Sequence, residues 1–137
     1  MKALDTSVLL AILEGNPAAR NLVRRLKGIE LATSEINLTE LAVVAIIQGE
    51  RRRAARLASL DRLRRTLTVL PIEAAGTREA IAHAGGGGAS GPASAAMLAS
   101  LGAFEAAACD EMFTSDPAAI RGKWHFKVTK FQSTAIK

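Results

Sequence analysis

The sequence predicts an α/β fold built on a mainly parallel, five-stranded sheet. Short apolar runs of strand length alternate with longer segments in which Leu or Ala recurs every three or four residues. This alternation is typical of parallel strands joined by right-handed helical crossovers. The length of 137 residues favours one domain over residues 1–137, because single domains are most often of this size.

Five segments have the length and composition of strands. The first four are short, and the last carries apolar side chains on two faces. The predicted strands cover residues 2–4, 30–33, 67–72, 111–114 and 125–131. Pro71 lies near the end of the third strand, where a residue without a backbone N–H is expected to stop pairing.

Six segments have the periodicity of helices with one apolar face. The predicted helices cover residues 6–14, 18–27, 38–48, 51–65, 74–84 and 93–108. Pro17 and Pro117 suit first helical turns, while Gly28 and Gly49 mark helix boundaries. The glycine-rich segment 85–91 is expected to be a connector, because a glycine run loses too much entropy to be helical.

Composition and charge narrow the classes of function. Eighteen Lys and Arg against thirteen Asp and Glu give a net charge of +5, which favours a polyanionic partner such as nucleic acid. Cys109 is the single cysteine and there are two histidines, so an internal disulfide and a Cys/His zinc site are excluded. No apolar run reaches the roughly 18 residues that span a bilayer. Because a signal-peptide pattern is also absent, we expect a cytoplasmic protein without a membrane segment.

Three carboxylates follow the predicted strands. Asp5 comes directly after the first strand, and Asp116 follows the fourth strand and precedes Pro117. Glu40 lies in the first turn of the helix predicted after the second strand. Because ligands bind at the carboxyl edge of an open parallel sheet, these three acids are expected to converge there. Such a cluster is stable around a hard divalent cation, which predicts a Mg²⁺ or Mn²⁺ site that handles phosphates.

Each acid also has a purely structural interpretation. Asp5 and Asp116 can act as helix N-caps, and Glu40 can form a capping box with Asn37. Taken singly, these capping roles are the commoner ones. The two interpretations are compatible, because helix N-termini at this edge favour negative charge. The position of the acids relative to the strands favours the metal-binding interpretation.

Three short motifs in this order resemble the PIN domain family. Residues 1–10 (MKALDTSVLL) resemble the opening of that family, in which a short strand ends in Asp followed by Thr or Ser. Residues 33–41 (TSEINLTEL) resemble its second motif, with Glu40 as the acid, and residues 113–116 (FTSD) resemble its late Thr-x-Asp motif. The resemblance extends over nearly the whole chain.

The resemblance implies a three-layer α/β/α sandwich around a twisted sheet, with an acidic pocket for one or two Mg²⁺ or Mn²⁺ ions. It also implies cleavage of single-stranded RNA, and for many small members a VapC-type toxin role with a partner antitoxin and a homodimeric state. Carried over by position, the catalytic and metal-binding acids are Asp5, Glu40 and Asp116. Thr6, Ser7 and Thr114 are then supporting hydroxyls.

One departure from the family pattern concerns the last predicted helix. Ala95 stands where the family has an Asp, and no acid occurs between Glu79 and Glu105. Ser94 offers a neutral oxygen but no charge, and Glu105 lies roughly 15 Å along the helix from Ala95. Because losing even an outer-shell partner of a metal typically costs about 10- to 100-fold, the sequence predicts weak metal binding and attenuated cleavage.

Two functions therefore remain open from the sequence. The first is an attenuated, metal-dependent ribonuclease, and the alternative is a catalytically degenerate domain that binds RNA or a protein without cutting. A phosphoacceptor with one reactive Asp is a weaker third interpretation, because the partner acids and Lys expected beside such an Asp are not evident.

The fourth predicted helix concentrates the positive charge. It carries seven arginines and one acid, Asp61, so its charge of +6 exceeds that of the whole chain. The arginines are Arg51, Arg52, Arg53, Arg56, Arg62, Arg64 and Arg65. Leucines at 57, 60, 63 and 67 are expected to face the core, which directs the arginines outward. Arg51, Arg52, Arg53 and Arg56 are candidates for binding RNA phosphates or an acidic antitoxin, and an ordinary solvated face is equally compatible.

Overall fold

The computed structural model describes residues 1–84, 95–120 and 122–134 of the chain. Its strands are β1 (Lys2–Leu4), β2 (Leu31–Ser34), β3 (Thr68–Leu70), β4 (Glu111–Thr114) and β5 (Lys127–Lys130). They form one five-stranded sheet in the order β3-β2-β1-β4-β5, in which every neighbouring pair is parallel. The predicted α/β class and the five parallel strands are confirmed. The strand order reverses between β1 and β4.

Within the described residues, six helices connect these strands, as predicted. They are α1 (Thr6–Leu13), α2 (Pro17–Arg25), α3 (Glu35–Ile47), α4 (Glu50–Thr66), α5 (Ala74–His83) and α6 (Ala95–Ala106), with a short 3-10 turn at Pro117–Ala119. None of the helices in the described residues is both long enough and apolar enough to cross a membrane. The glycine-rich segment 85–91 and the first two residues of the helix predicted over 93–108 lie outside the described residues.

Three element boundaries differ from the predicted ones for identifiable reasons. Helix α3 begins three residues earlier than predicted, because Ser34 caps it and forms a capping box with Asn37. Strand β5 has four residues instead of the seven predicted over 125–131. As an edge strand it pairs only with the four residues of β4. Strand β3 ends just before Pro71.

Apolar side chains pack on both faces of the sheet. Alternate residues of a strand point to opposite faces, and Ala3 and Leu4 of β1 accordingly belong to two different core clusters. The cluster containing Leu4 includes buried residues of α1 to α4, and the cluster containing Ala3 includes buried residues of α5 and α6. Helices therefore cover both faces, which confirms the three-layer α/β/α arrangement.

Helices α5 and α6 cross at two glycines. A Cβ atom built on Gly102 would lie 2.4 Å from the carbonyl oxygen of Gly76, whereas a Cβ atom on Gly76 would lie 3.2 Å from the carbonyl oxygen of Gly102. The distance at Gly102 is far shorter than a van der Waals contact, whereas the distance at Gly76 requires only a small shift of the neighbouring atoms. The backbone of α6 therefore approaches α5 at a distance that requires glycine at position 102.

We expect Gly102→Ala to lower the free energy of unfolding by about 1–3 kcal/mol, because the two helix backbones must separate. Alanine is intrinsically the better helix former by about 1 kcal/mol, so the clash must exceed that gain. Gly76→Ala is the matched control and should cost less. Urea denaturation measures both, and an equal or smaller loss for Gly102→Ala would contradict the crossing geometry.

A partly buried ion pair joins β1 and β4. Lys2 Nζ lies 2.9 Å from Glu111 Oε1 and 3.3 Å from Asp110 Oδ2, and Thr129 Oγ1 donates to Glu111 Oε2 at 2.5 Å. Burial by itself raises the pKa of Glu111, but the hydrogen bonds from Thr129 and Lys2 outweigh it and hold that pKa below its ordinary value. The hydrogen bond to Glu111 raises the pKa of Lys2.

Acid should therefore weaken the fold through Glu111. A carboxyl whose pKa is lower in the folded state stabilises the fold above its unfolded pKa of 4.5, and this contribution is lost as pH falls through the folded pKa. We expect Glu111→Gln to be less stable than the wild type at pH 7 and to lose less stability between pH 5 and pH 3. Thermal unfolding across that range measures the difference, and parallel pH profiles would contradict it.

Candidate active site

The three predicted acids line one cleft at the carboxyl edge of the sheet. Asp5 follows β1, Asp116 follows β4, and Glu40 lies on α3, which follows β2. The cleft measures about 340 Å³ and opens beside the point where the strand order reverses. Its lining consists of Asp5, Thr6, Ser7, Asn37, Glu40, Met97, Ser100, Met112, Thr114, Ser115 and Asp116. A reversal of strand order at this edge is the usual ligand position in open α/β sheets.

Asp5 both caps α1 and faces the cleft. Its Oδ1 accepts hydrogen bonds from Val8 N at 3.2 Å and from Ser7 Oγ at 2.5 Å. The Ser7 hydroxyl in turn accepts from Ser115 N at 3.0 Å, which ties the end of β4 to α1. In the described part of the chain, every hydrogen bond to this carboxylate uses Oδ1. The N-cap interpretation is confirmed, and Oδ2 accepts none of these hydrogen bonds.

Asp116 does not act as a cap. The short turn at Pro117–Ala119 follows it, but its side chain makes no capping hydrogen bond. Its backbone N–H donates to Thr114 Oγ1 at 3.2 Å, so the buried threonine fixes the chain direction as it leaves β4. The Asp116 side chain is exposed along the cleft. The capping interpretation of this residue is therefore wrong.

Glu40 does not belong to the capping box of α3 either. Because α3 begins at Glu35, Glu40 lies in its second turn, and the capping box consists of Ser34 and Asn37. Glu40 Oε1 instead accepts from Thr6 Oγ1 at 2.8 Å. Thr6 Oγ1 accepts from Asn37 Nδ2 at 2.9 Å.

Asn37 was missed as a site residue. It is buried and lines the cleft, although the sequence suggested for it only a capping role. The available signal was its spacing of three residues from Glu40, which places both side chains on one helix face. That signal is visible only when the helix is known to begin before residue 37.

The α6 wall of the cleft contributes no acid. Met97 and Ser100 are the α6 residues that line it, whereas Ala95 is exposed and is not part of the lining. Ser94, the predicted neutral substitute, lies outside the described residues. Glu105 lies elsewhere, where its carboxylate accepts from His125 N at 2.6 Å.

The donor atoms of the cleft suit a hard cation. They are carboxylate and hydroxyl oxygens, the ligand type that Mg²⁺ and Mn²⁺ prefer. The side chains are not gathered into a ready ligand cage: residues 1–84, 95–120 and 122–134 contain no group of three or more His, Cys, Asp or Glu that could hold a metal ion. Glu40 and Asp116 are exposed, so their side chains have room to turn toward a cation.

A separate groove runs between α1, α3 and α4. It measures about 500 Å³, and its apolar floor includes Leu10, Leu13 and Leu41, while Arg52 and Arg56 stand along it. Arg51 and Arg53 are exposed on the same helix. Leu60 is buried, and Leu63 and Leu67 pack against the same core, as predicted for the inner face of α4. Leu57, predicted to share that face, is half-buried and is not part of this core cluster. Helix α3 also carries three exposed apolar side chains that are not part of the groove lining: Val43, Ile46 and Ile47.

The structure is similar to solved VapBC and VapC structures. A VapBC2 complex from Rickettsia felis bound to a promoter DNA fragment aligns with a TM-score of 0.73 and 16% identity, covering 96% of this chain and 98% of that one. A DNA-bound VapBC from Salmonella typhimurium gives 0.70 and 19%, covering 96% and 98%. VapC20 from Mycobacterium tuberculosis, described as a sarcin–ricin loop cleaving toxin, gives 0.63 and 20%, covering 93% and 99%. No curated protein sequence matches the chain significantly.

The sequence itself matches a family description. The model of the PIN domain family matches residues 2–118, a range that contains β1 to β4, all six helices and the three acids of the cleft. This match spans well over half of the chain and agrees with the resemblance carried by the three motifs. The chain belongs to the PIN domain family.

Proposed function

We propose that this protein is a divalent-metal-dependent ribonuclease that cleaves single-stranded RNA at the acidic cleft. The observation that carries the proposal is that Asp5, Glu40 and Asp116, from three distant stretches of sequence, line one cleft at the carboxyl edge of the sheet. A structural neighbour that is described as cleaving the sarcin–ricin loop supports RNA as the substrate.

The residues around the acids prepare the cleft for Mg²⁺ or Mn²⁺. Ser7 holds the Asp5 carboxylate by Oδ1, and Thr6 holds Glu40 by Oε1, so each acid has its second oxygen left for a cation. Thr114 fixes the backbone from which Asp116 projects. A bound cation would supply charge neutralisation for the phosphodiester and would activate water. The acids themselves contribute the binding charge and the orientation.

The activity is attenuated in this proposal because the α6 wall is neutral. Met97 and Ser100 line that wall, and neither residue supplies a carboxylate. Losing an outer-shell partner typically lowers metal affinity or activity by about 10- to 100-fold, and a missing ligand should cost at least as much. Cleavage should therefore need high Mg²⁺ or Mn²⁺ concentrations.

Asp5→Asn tests the activity separately from the stability. Asparagine caps helices as well as aspartate does, so the free energy of unfolding should stay within about 0.5 kcal/mol of the wild type. Cleavage of single-stranded RNA in Mn²⁺ should be lost, because the cleft loses a negative charge. Asp61→Asn, which removes an exposed carboxylate on α4, is the control and should cleave normally. Equal cleavage by Asp5→Asn and the wild type, or none by either at high protein concentration, would exclude the nuclease function.

We also propose that the protein is a toxin held inactive by an antitoxin. The VapBC neighbours are toxin–antitoxin complexes bound to DNA, and the groove between α1, α3 and α4 offers an apolar floor beside Arg52 and Arg56. An amphipathic segment with acidic residues has the matching chemistry. Homodimerisation remains part of the proposal, and sedimentation velocity on the purified chain tests it.

A second candidate function is RNA or protein binding without cleavage. It is favoured by the neutral α6 wall and by the lack, within the described residues, of three acids placed to hold one ion. RNA binding that persists in Mn²⁺ without any product would support this function over the ribonuclease.

A further inference from the structure

A row of hydrogen bonds runs from α6 to the acidic cleft. Ser100 Oγ of α6 lies 2.7 Å from Ser34 Oγ at the end of β2, and Ser34 Oγ donates to Asn37 Oδ1 at 2.8 Å. Asn37 Nδ2 donates to Thr6 Oγ1 at 2.9 Å, and Thr6 Oγ1 donates to Glu40 Oε1 at 2.8 Å. Ser34, Asn37 and Ser100 are all buried. The row therefore connects an interior residue of α6 with an exposed acid 60 residues away in the sequence.

The direction of the bonds is fixed at Asn37. The backbone N–H of Ser34, which can only donate, points to Asn37 Oδ1 at 3.4 Å, so that atom is the amide oxygen. A hydroxyl has one proton. Ser34 directs its proton to Asn37 Oδ1, and Ser100 must therefore donate to Ser34.

The same reasoning settles the other side of Asn37. An amide nitrogen only donates, so Thr6 accepts from Asn37 Nδ2 and has its own proton left for Glu40. All bonds in the row thus point from Ser100 to Glu40. The row ends on a carboxylate oxygen that must accept.

We propose that Asn37 is a positioning residue that orients Glu40 for cation binding by acting through Thr6. Glu40 is exposed, and holding an exposed glutamate side chain in one rotamer costs conformational entropy. The Asn37–Thr6 pair restricts the Glu40 side chain already in the absence of a cation, so less conformational entropy is lost on binding. It leaves Glu40 Oε2 as the free ligand atom. The cation in this inference is that of the proposed ribonuclease function.

Thr6→Val and Thr6→Ser form the central test. Valine has the shape of threonine but lacks the hydroxyl, so it interrupts the row, whereas serine retains the hydroxyl. We expect Thr6→Val to weaken Mn²⁺ binding about tenfold, measured without RNA by the electron paramagnetic resonance signal of free Mn²⁺. Thr6→Ser should bind nearly as the wild type does. Thr39→Val is the control. Thr39 directly precedes Glu40 in the sequence, and its exposed hydroxyl donates to Glu35 O and takes no part in the row.

A double-mutant cycle assigns the effect to Asn37. Asn37→Ser keeps a short polar side chain near Ser34 but does not reach Thr6, and it should weaken Mn²⁺ binding as Thr6→Val does. If Asn37 acts through Thr6, adding Asn37→Ser to Thr6→Val should cause no further loss of affinity. Independent, multiplying losses would overturn the positioning role.

A second measurement requires no metal. Three-bond scalar couplings of the Glu40 side chain should report one dominant rotamer in the wild type and in Thr6→Ser, and averaging in Thr6→Val. Unchanged couplings in Thr6→Val would overturn the inference, even in a protein that cleaves RNA. The two proposals can fail separately. If the wild type binds no Mn²⁺, the proposed function is overturned. If Thr6→Val nevertheless shows averaged Glu40 couplings, the orientation of Glu40 through Thr6 remains supported.

Discussion

Met97→Asp is expected to raise Mn²⁺ affinity and the rate of RNA cleavage by roughly 10- to 100-fold. Met97 lines the same cleft as the strand-end acids and lies one helical turn before Ser100 on the same face of α6. An aspartate there would add the negative charge that the α6 wall lacks. Cleavage of a labelled single-stranded RNA over a Mn²⁺ titration measures both quantities at once.

Two control variants separate the charge from the other effects of the substitution. Met97→Asn removes the same thioether without adding charge and should show no gain. Ala95→Asp places the acid where the family pattern expects it, but residues 95 and 97 point about 200° apart around a helix. Because Ala95 is exposed and lies outside the lining, its variant should gain less than twofold. The opposite order of gains would contradict the orientation of α6.

No gain from either acid would favour the binding function. A wild type and a Met97→Asp variant that both bind RNA and leave it intact would show that more than one ligand is absent. The ribonuclease proposal would then be replaced by the alternative of a degenerate PIN domain.

The fold was largely predictable because its signals are local. Strand-length apolar runs and helical periodicity identify five strands and six helices, and parallel crossovers follow from their alternation. The edge on which Asp5 and Asp116 lie follows as well, because parallel strands end at the same side of the sheet. The start of α3 was not predictable from periodicity, since the Ser34 cap lies within a segment that reads as the end of a strand.

The wall of the cleft could not be predicted in the same way. Which face of α6 meets the acids depends on the tertiary packing of that helix, which includes the close approach of Gly102 to Gly76. The bonds of Asn37 to Thr6 and of Ser34 to Ser100 join residues 31 and 66 positions apart, and no local pattern indicates them. Sequence reasoning therefore pointed to the three acids and to the hydroxyls of Thr6, Ser7 and Thr114 beside them. It did not indicate Ser34, Asn37 and Ser100, which lie behind those hydroxyls.

The arginines of α4 should dominate the salt dependence of RNA binding. In the Asp5→Asn background, in which we expect no cleavage, the triple substitution of Arg51, Arg52 and Arg53 by Ser should weaken binding of single-stranded RNA. Each lost phosphate contact reduces the steepness of log affinity against log salt by about 0.7. Losing three contacts should therefore reduce this slope by about 2 and lower the affinity at 0.1 M salt by roughly a hundredfold. Fluorescence anisotropy of a labelled oligonucleotide across a salt series measures the slope.

The α2 arginines provide a control of equal charge. Arg20, Arg24 and Arg25 are exposed, and their replacement by Ser removes the same three charges. If RNA is attracted only by the net charge of +5, the two triple variants should weaken binding equally. If the α4 face makes the contacts, the α2 variant should change affinity less than threefold. If RNA binding by the Asp5→Asn parent protein does not depend on salt, the α4 arginines do not bind RNA phosphates. Binding of an acidic protein partner would then be the remaining role for them.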